Sequence, residues 1–234
     1  MKTKTSQKSL DKALLASVEA GDVDRVKDSL SAGADAHAQK DHALRMASLN
    51  GHSEVVSLLL DIGADIHAKK DNALCYAAAR GHLEVVRLLL DRGADIHAEN
   101  DYAFGWASRN GHLEMVRLLI DRGANINAKD GQALRLAAER GHLDVVRLLL
   151  DSGADTHASN DKALRQGVTQ DHSDVVLLLM EYGADLEAGI EEAGTFSKSK
   201  MLDLLNRVKL SREENKQLAA VVPAPERSAG MVRM

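Results

Sequence analysis

Aromatic residues are scarce in this chain. Its 234 residues hold one Trp, two Phe and three Tyr, or 3%. A core of any size must then be built from Leu, Val and Ala, and 44% apolar content is ample for one. Cysteine is represented by Cys75 alone, which excludes an intrachain disulfide framework and fits a reducing compartment. The only prolines, Pro223 and Pro225, mark the start of a tail, 223–234, expected to be disordered. There is no excess of positive charge. A net charge of −5 favours solubility and argues against nonspecific nucleic-acid binding by the chain as a whole. Long apolar runs are missing too: VVLLLM at 175–180 is far too short to span a bilayer. The start, MKTKTSQKSL, carries lysines with no apolar stretch after them, so no secretory signal is expected, and no Asn-x-Ser/Thr sequon occurs. These absences point to a cytoplasmic or other intracellular protein with no membrane partner.

What is present is a repeat. In blocks of 30 from Asp11, the openings read DKALLASVEAG, DHALRMASLNG, DNALCYAAARG, DYAFGWASRNG, GQALRLAAERG and DKALRQGVTQD. The register holds without a gap to residue 190, giving units 11–40, 41–70, 71–100, 101–130, 131–160 and 161–190, preceded by a basic segment, 1–10. Such a period belongs to a stack in which each unit touches only its neighbours. Each block reads as two short helices. In the third, Asp71 is placed to N-cap an Ala-Leu-rich helix that Gly81 ends in a left-handed conformation. A second helix, HLEVVRLLLDR at 82–92, has Glu84 in its first turn and ends at Gly93. The predicted fold class is therefore all-α.

The stretch GHLEVVRLLLDRGADIHA resembles an ankyrin repeat, and the resemblance covers about residues 11–190. It implies an ankyrin-repeat solenoid of stacked helix-turn-helix units. Ankyrin repeats usually run about 33 residues and open with Thr-Pro-Leu-His. Here each unit lacks three residues between "HA" and "D", and Ala13, Ala43, Ala73, Ala103, Ala133 and Ala163 stand where Pro is usual. The deletion falls where ankyrins project a β-hairpin, so the hairpins should be stunted. The short form resembles ankyrin repeats of giant DNA viruses, which would place it in a host cytosol. Both ends read as caps. Arg25, Asp28 and Ser29 replace apolar residues in the first unit. Residues 191–222 read as a degenerate capping repeat, with Met201, Leu202, Leu204 and Leu205 covering the last interface and SREE at 211–214 opening a short helix.

Ten histidines invite a metal reading. Five stand at position 12 of the unit (His52, His82, His112, His142, His172) and four at position 27 (His37, His67, His97, His157); His42 is the tenth. Equivalent positions in stacked helices lie about 10 Å apart, whereas zinc ligands must come within about 2.1 Å of the ion. The histidines are thus expected to cap and bridge helix ends, with no metal and no cofactor. Cys75 has no second cysteine, and no nucleophile–base pattern stands out. GTFSKSK at 194–200 lacks the spacing of a phosphate loop. The sequence predicts no enzyme.

The positions that vary are more telling. Positions 3, 4, 16, 23, 24 and 28 are nearly fixed, as a packed frame requires. Positions 2, 5, 6, 9 and 10 vary and share one face of the first helix. The ankyrin resemblance makes that helix the lining of a concave groove. Position 6 runs Ala16, Met46, Tyr76, Trp106, Leu136, Gln166, with Tyr102 one turn from Trp106. It admits two readings: packing between neighbouring helices, or a shallow aromatic patch of the kind that anchors partners. Phe104, at position 4, is expected in the core, and Gly105 removes bulk beside the patch while weakening the helix by about 1 kcal/mol relative to Ala. The same face is rich in cations: Lys12, Arg45, Arg80, Arg109, Arg135, Arg140, Lys162 and Arg165, against Glu19 and Glu139. That bias is either a solvated charge run or a field for an acidic partner. The predicted partner-binding set is Met46, Tyr76, Tyr102, Trp106, Arg109, Arg135, Arg140 and Arg165. The predicted function is noncatalytic binding of another protein, with an acidic surface, as adaptor, inhibitor or scaffold. The alternative is an anionic ligand or a nucleic-acid strand held by the basic groove. Leu88 and Leu118 are expected to be buried, and Arg25 and Asp28 exposed.

Overall fold

Alternation of Ala-Leu-rich and Val-Leu-rich segments, punctuated by glycine every few turns, leaves the helices between the first and the last only about two to four turns long. No single helix can bury its apolar face alone, so the helices stack in two rows. The structure, a computed structural model, describes residues 4–221. The first-helix row comprises α1 (Lys4–Ala20), α3 (Ala38–Asn50), α5 (Ala68–Arg80), α7 (Tyr102–Arg109), α9 (Ala128–Arg140), α11 (Ala158–Thr169) and α13 (Leu186–Thr195). The second row comprises α2 (Val23–Ser31), α4 (Ser53–Asp61), α6 (Leu83–Asp91), α8 (Leu113–Asp121), α10 (Leu143–Asp151), α12 (Ser173–Glu181) and α14 (Ser199–Val221). Among the described residues no strand forms. Each first helix packs on the next first helix and on its own second helix, giving a solenoid.

The core is one continuous seam between the rows. In α4, α6, α10 and α12 the two adjacent valines and the leucine that follows them are sealed: Val85, Val86 and Leu89 of α6 are each 0% exposed, and in α8 Met115 takes the place of the first valine. Leu118 is buried as expected, but Leu88 is only partly buried. Three consecutive leucines are separated by 100° steps around the helix, and Leu88 lies on the flank of the seam while Leu89 points into it. Phe104 is in the core, and Arg25 and Asp28 are exposed at the end of the stack. Two boundaries differ from expectation. Helix α1 begins at Lys4 and passes residue 11 without a break, and α14 runs through Ser211–Glu214 rather than starting there. The predicted tail, 223–234, lies outside the described residues.

The first helix stops at a left-handed residue, glycine in every unit but the sixth, where Asp171 takes φ 62°. Gly81 adopts φ 78° and closes α5 with its N–H on the carbonyls of Ala77 and Ala78. The imidazole of His112, from the next unit, lies against that glycine, and its Nε2 donates to the carbonyl of Ala79 at 3.0 Å. The same contact recurs from His52 to Glu19, His82 to Leu49, His142 to Arg109 and His172 to Glu139. The position-12 histidines thus bridge helix ends, as expected.

The aspartates at position 1 depart from expectation. Asp71 makes no side-chain bond to its own helix. With three residues missing, the chain turns through three successive left-handed residues, Lys69, Lys70 and Asp71 (φ 56°, 61° and 57°). Each non-glycine residue so held costs about 1–2 kcal/mol. That turn carries the carboxylate away from the helix start and into the neighbouring loops. There it accepts from His67 Nδ1 at 3.1 Å and from the backbone N–H of Asp95 at 2.9 Å. Asp41, Asp101 and Asp161 do the same with His37, His97 and His157. These carboxylates are 4–6% exposed, so their bonds are made away from water, where they count most. One seam is built otherwise. Gly131 replaces the aspartate and Asn127 the histidine. Asn127 bridges the loops, accepting from Asp155 N–H at 2.9 Å and donating to Gly153 O at 3.3 Å, and Ser159 Oγ donates to Asp130 O at 3.3 Å.

Candidate functional site

On the first-helix row the frame positions point inward and the varied ones outward. In α5, Ala73, Leu74, Ala77 and Ala78 are buried, while Asn72, Tyr76 and Arg80 reach the open face. Cys75, at position 5, is the exception and is 4% exposed. Tyr102 of the next unit stands over that part of the face, since a position-2 side chain lies beside position 5 of the preceding repeat.

The open face carries an apolar cleft. It measures about 690 Å³ and lies across repeats 2–4, walled by Leu49, Tyr76, Tyr102 and Trp106, with Cys75 at its base and Arg80 at its edge. Tyr102 and Trp106 meet edge to face, with centroids 5.8 Å apart and planes at 87°. Tyr102 leans on the core, whereas Trp106 is half-buried on the cleft wall. Two cations lie on these rings: Arg109 Cζ is 4.9 Å from the Trp106 centroid and Lys129 Nζ is 4.7 Å from that of Tyr102. Lys129 falls outside the positions compared between repeats, so sequence reasoning missed it; it belongs to the left-handed turn, Lys129–Gly131, inside the start of α9. Met46 packs against the core and does not line the cleft. Gly105 does not open it either, because the Gln132 side chain lies 3.4 Å from where a Cβ would stand. Burial, then the nearby charges of Asp71 and Glu99, push the Cys75 thiol up to about 11, so it is no nucleophile at neutral pH.

The expected row of arginines is divided. Arg135 and Arg140 share Glu139, at 3.8 and 3.7 Å. Arg165 is fully engaged, at 3.0 Å from both Glu191 and Glu192, with its side chain 18% exposed. It is a structural tie to α13 and not an open cation. Glu192 occupies position 2 of the degenerate unit, on the same face. Arg45 donates to the carbonyls of Gln39 and Lys40. By contrast, Arg80, Arg109 and Lys129 have no carboxylate within 4.0 Å among the described residues, and no carboxylate lines the cleft. The structure therefore gathers Tyr76, Tyr102, Trp106 and Arg109 in one place and leaves Arg135, Arg140 and Arg165 elsewhere, paired.

Among the described residues no three His, Cys, Asp or Glu side chains gather as metal ligands would. GTFSKSK forms the α13–α14 connection, with Lys198 on Asp171. No described helix is long and apolar enough to cross a membrane.

Comparison with known proteins agrees with this architecture. The structure is similar to the ankyrin repeat domain of human ASB11, with a TM-score of 0.66 and 25% identity, over 74% of this chain and 84% of that one. No curated protein matches in sequence. A family model described as ankyrin repeats (3 copies) matches residues 14–100 and again 104–189, together well over half of the chain. With the stacked helix pairs, the glycine-closed first helices and that match in hand, the chain belongs to the ankyrin repeat family.

Proposed function

We propose that this chain is a noncatalytic adaptor, inhibitor or scaffold that binds another protein in the groove lined by its first helices, with the cleft across repeats 2–4 as the centre of contact. One observation carries the reading: three of the six aromatics in the chain wall one open cleft, with Arg80 in its lining and Arg109 and Lys129 laid on the Trp106 and Tyr102 rings, none of the three cations within 4.0 Å of a carboxylate among the described residues. Large rigid aromatics in a partly desolvated setting are the side chains that dominate binding energies. Cations held on the rings without a close carboxylate favour a partner with an acidic surface and speed its approach. Tyr76, Tyr102, Trp106 and Arg109 are the contact centre in this proposal; Met46, Arg135 and Arg140 lie outside the cleft. A nucleic-acid strand laid along the row has weaker support, because Glu139, Glu191 and Glu192 interrupt its path.

The test compares capture of native partners by the wild type, by Tyr76→Ala/Trp106→Ala and by Arg87→Glu/Arg117→Glu on the exposed face of the second helices. Quantitative mass spectrometry should show partners lost about tenfold or more with the first pair and retained with the second. Equal capture by all three forms rules out the groove.

A further inference from the structure

The cations around the cleft are not scattered. Arg80 and Arg109 are the last residues of α5 and α7, so both mark the C-terminal edge of the first-helix row. Lys129 lies toward the opposite edge of the row, over the Tyr102 ring at the start of α7, outside the cleft lining and within the electrostatic reach of Glu99. Between the two edges stands the aromatic wall. Helix α7 has 8 residues, so the edges are separated by about 12 Å along the helix axis. An extended peptide advances about 3.3–3.6 Å per residue, and three to four residues cover that distance.

Resting on the groove reading above, we infer that the occupant of the cleft is a short extended segment of a partner protein, carrying one large apolar side chain between two acidic residues three or four positions apart. The apolar side chain enters between Tyr76 and Trp106. One carboxylate meets Arg80 and Arg109 at the C-terminal edge, and the other meets Lys129. The rings prepare the cations for this: Arg109 and Lys129 are already laid against Trp106 and Tyr102, so less side-chain freedom is lost when a carboxylate arrives. Nothing of the kind can form at repeats 5 and 6, where Glu139, Glu191 and Glu192 already hold the arginines.

The experiment is selection from a random peptide display library on the full chain. The recovered peptides are then measured by fluorescence anisotropy against the wild type, Arg80→Glu/Lys129→Glu and Tyr76→Ala/Trp106→Ala, each checked for unchanged helicity by circular dichroism. The expected result is enrichment of peptides with an apolar residue flanked by Asp or Glu at that spacing. Their affinity should drop about tenfold or more in both variants. Peptides that need Trp106 and Tyr76 but have no acidic bias, or bind Arg80→Glu/Lys129→Glu as well as the wild type, overturn the acidic bracket and leave the groove reading standing. Peptides indifferent to Tyr76→Ala/Trp106→Ala, or a library from which nothing is enriched, overturn both.

Discussion

Residues 72–110 and residues 132–170 occupy equivalent stretches of the first-helix row. Their inward positions are nearly the same: Ala73, Leu74 and Ala77 in one, Ala133, Leu134 and Ala137 in the other, all buried. Outward, position 6 carries Tyr76 and Trp106 in the first and Leu136 and Gln166 in the second. The first helices of both stretches carry arginine, Arg80 and Arg109 in one and Arg135, Arg140 and Arg165 in the other, yet only the second set is paired with carboxylates. An arginine's availability is therefore set by its neighbours in the adjoining unit. Position 9 holds Ala79 beside Arg80 but Glu139 beside Arg140, and position 2 of the unit after Arg165 is Glu192. One frame thus presents a cleft ready for a partner in its middle and a closed charge network toward its end.

The contrast can be tested first at its common base. Phe104→Ala should cost about 3–5 kcal/mol in urea unfolding, since the ring is 1% exposed. Trp106→Ala, two residues away and half-buried, should cost far less; a Trp106 variant as unstable as the Phe104 variant would return that ring to the core. Cys75 offers the next largest effect. Burial raises the folded thiol to about 11, above the ordinary cysteine range, so the neutral thiol is favoured in the folded chain. This contribution is whole below about pH 8.5–9 and lost as pH climbs through 11. The stability difference between the wild type and Cys75→Ala should accordingly shift by about 2–3 kcal/mol between pH 8 and pH 11.5. A flat difference would mean that the thiol is open to water.

Binding should separate the two stretches more directly. Trp106→Ala should weaken a captured partner by about 2 kcal/mol, measured by titration calorimetry, while Leu136→Ala at the equivalent position should change affinity little. Equal losses would spread the contact along the whole row. The smallest effect is reserved for Arg165. Arg165→Ala should lower stability by about 1 kcal/mol by freeing α13 and should leave partner affinity unchanged. A loss of affinity without a loss of stability would make it a contact residue after all.

Much of this was legible in the sequence, and the failures have physical causes. The period determined the stack, the glycine stops and the inward positions, because each copy confirms the others. Asp71 was misread because a capping rule looks only at the next few residues, whereas its acceptors' partners are the loops on either side, one of them 24 residues ahead. Leu88 was chosen over Leu89 because three leucines in a row carry no phase. Arg165 was counted as open because Glu191 and Glu192 belong to a unit too degenerate to align. The aromatic cleft was visible as a cluster of residue types, but Lys129 was not, since only the left-handed turn brings it over Tyr102.

That turn also decides where one module ends and the next begins. In four of the six 30-residue blocks the opening aspartate is bonded to the histidine four residues before it, so the block as written cuts through a working pair. Removing 101–130 would join His97 to Gly131 and leave Asp155 N–H with neither acceptor, and removing 131–160 would strand Asn127 opposite Asp161. Removing 97–126 keeps Asn127 with Gly131. The piece that duplication, deletion or chimaera design can move intact therefore begins at position 27, and the seam residues travel as inherited couples.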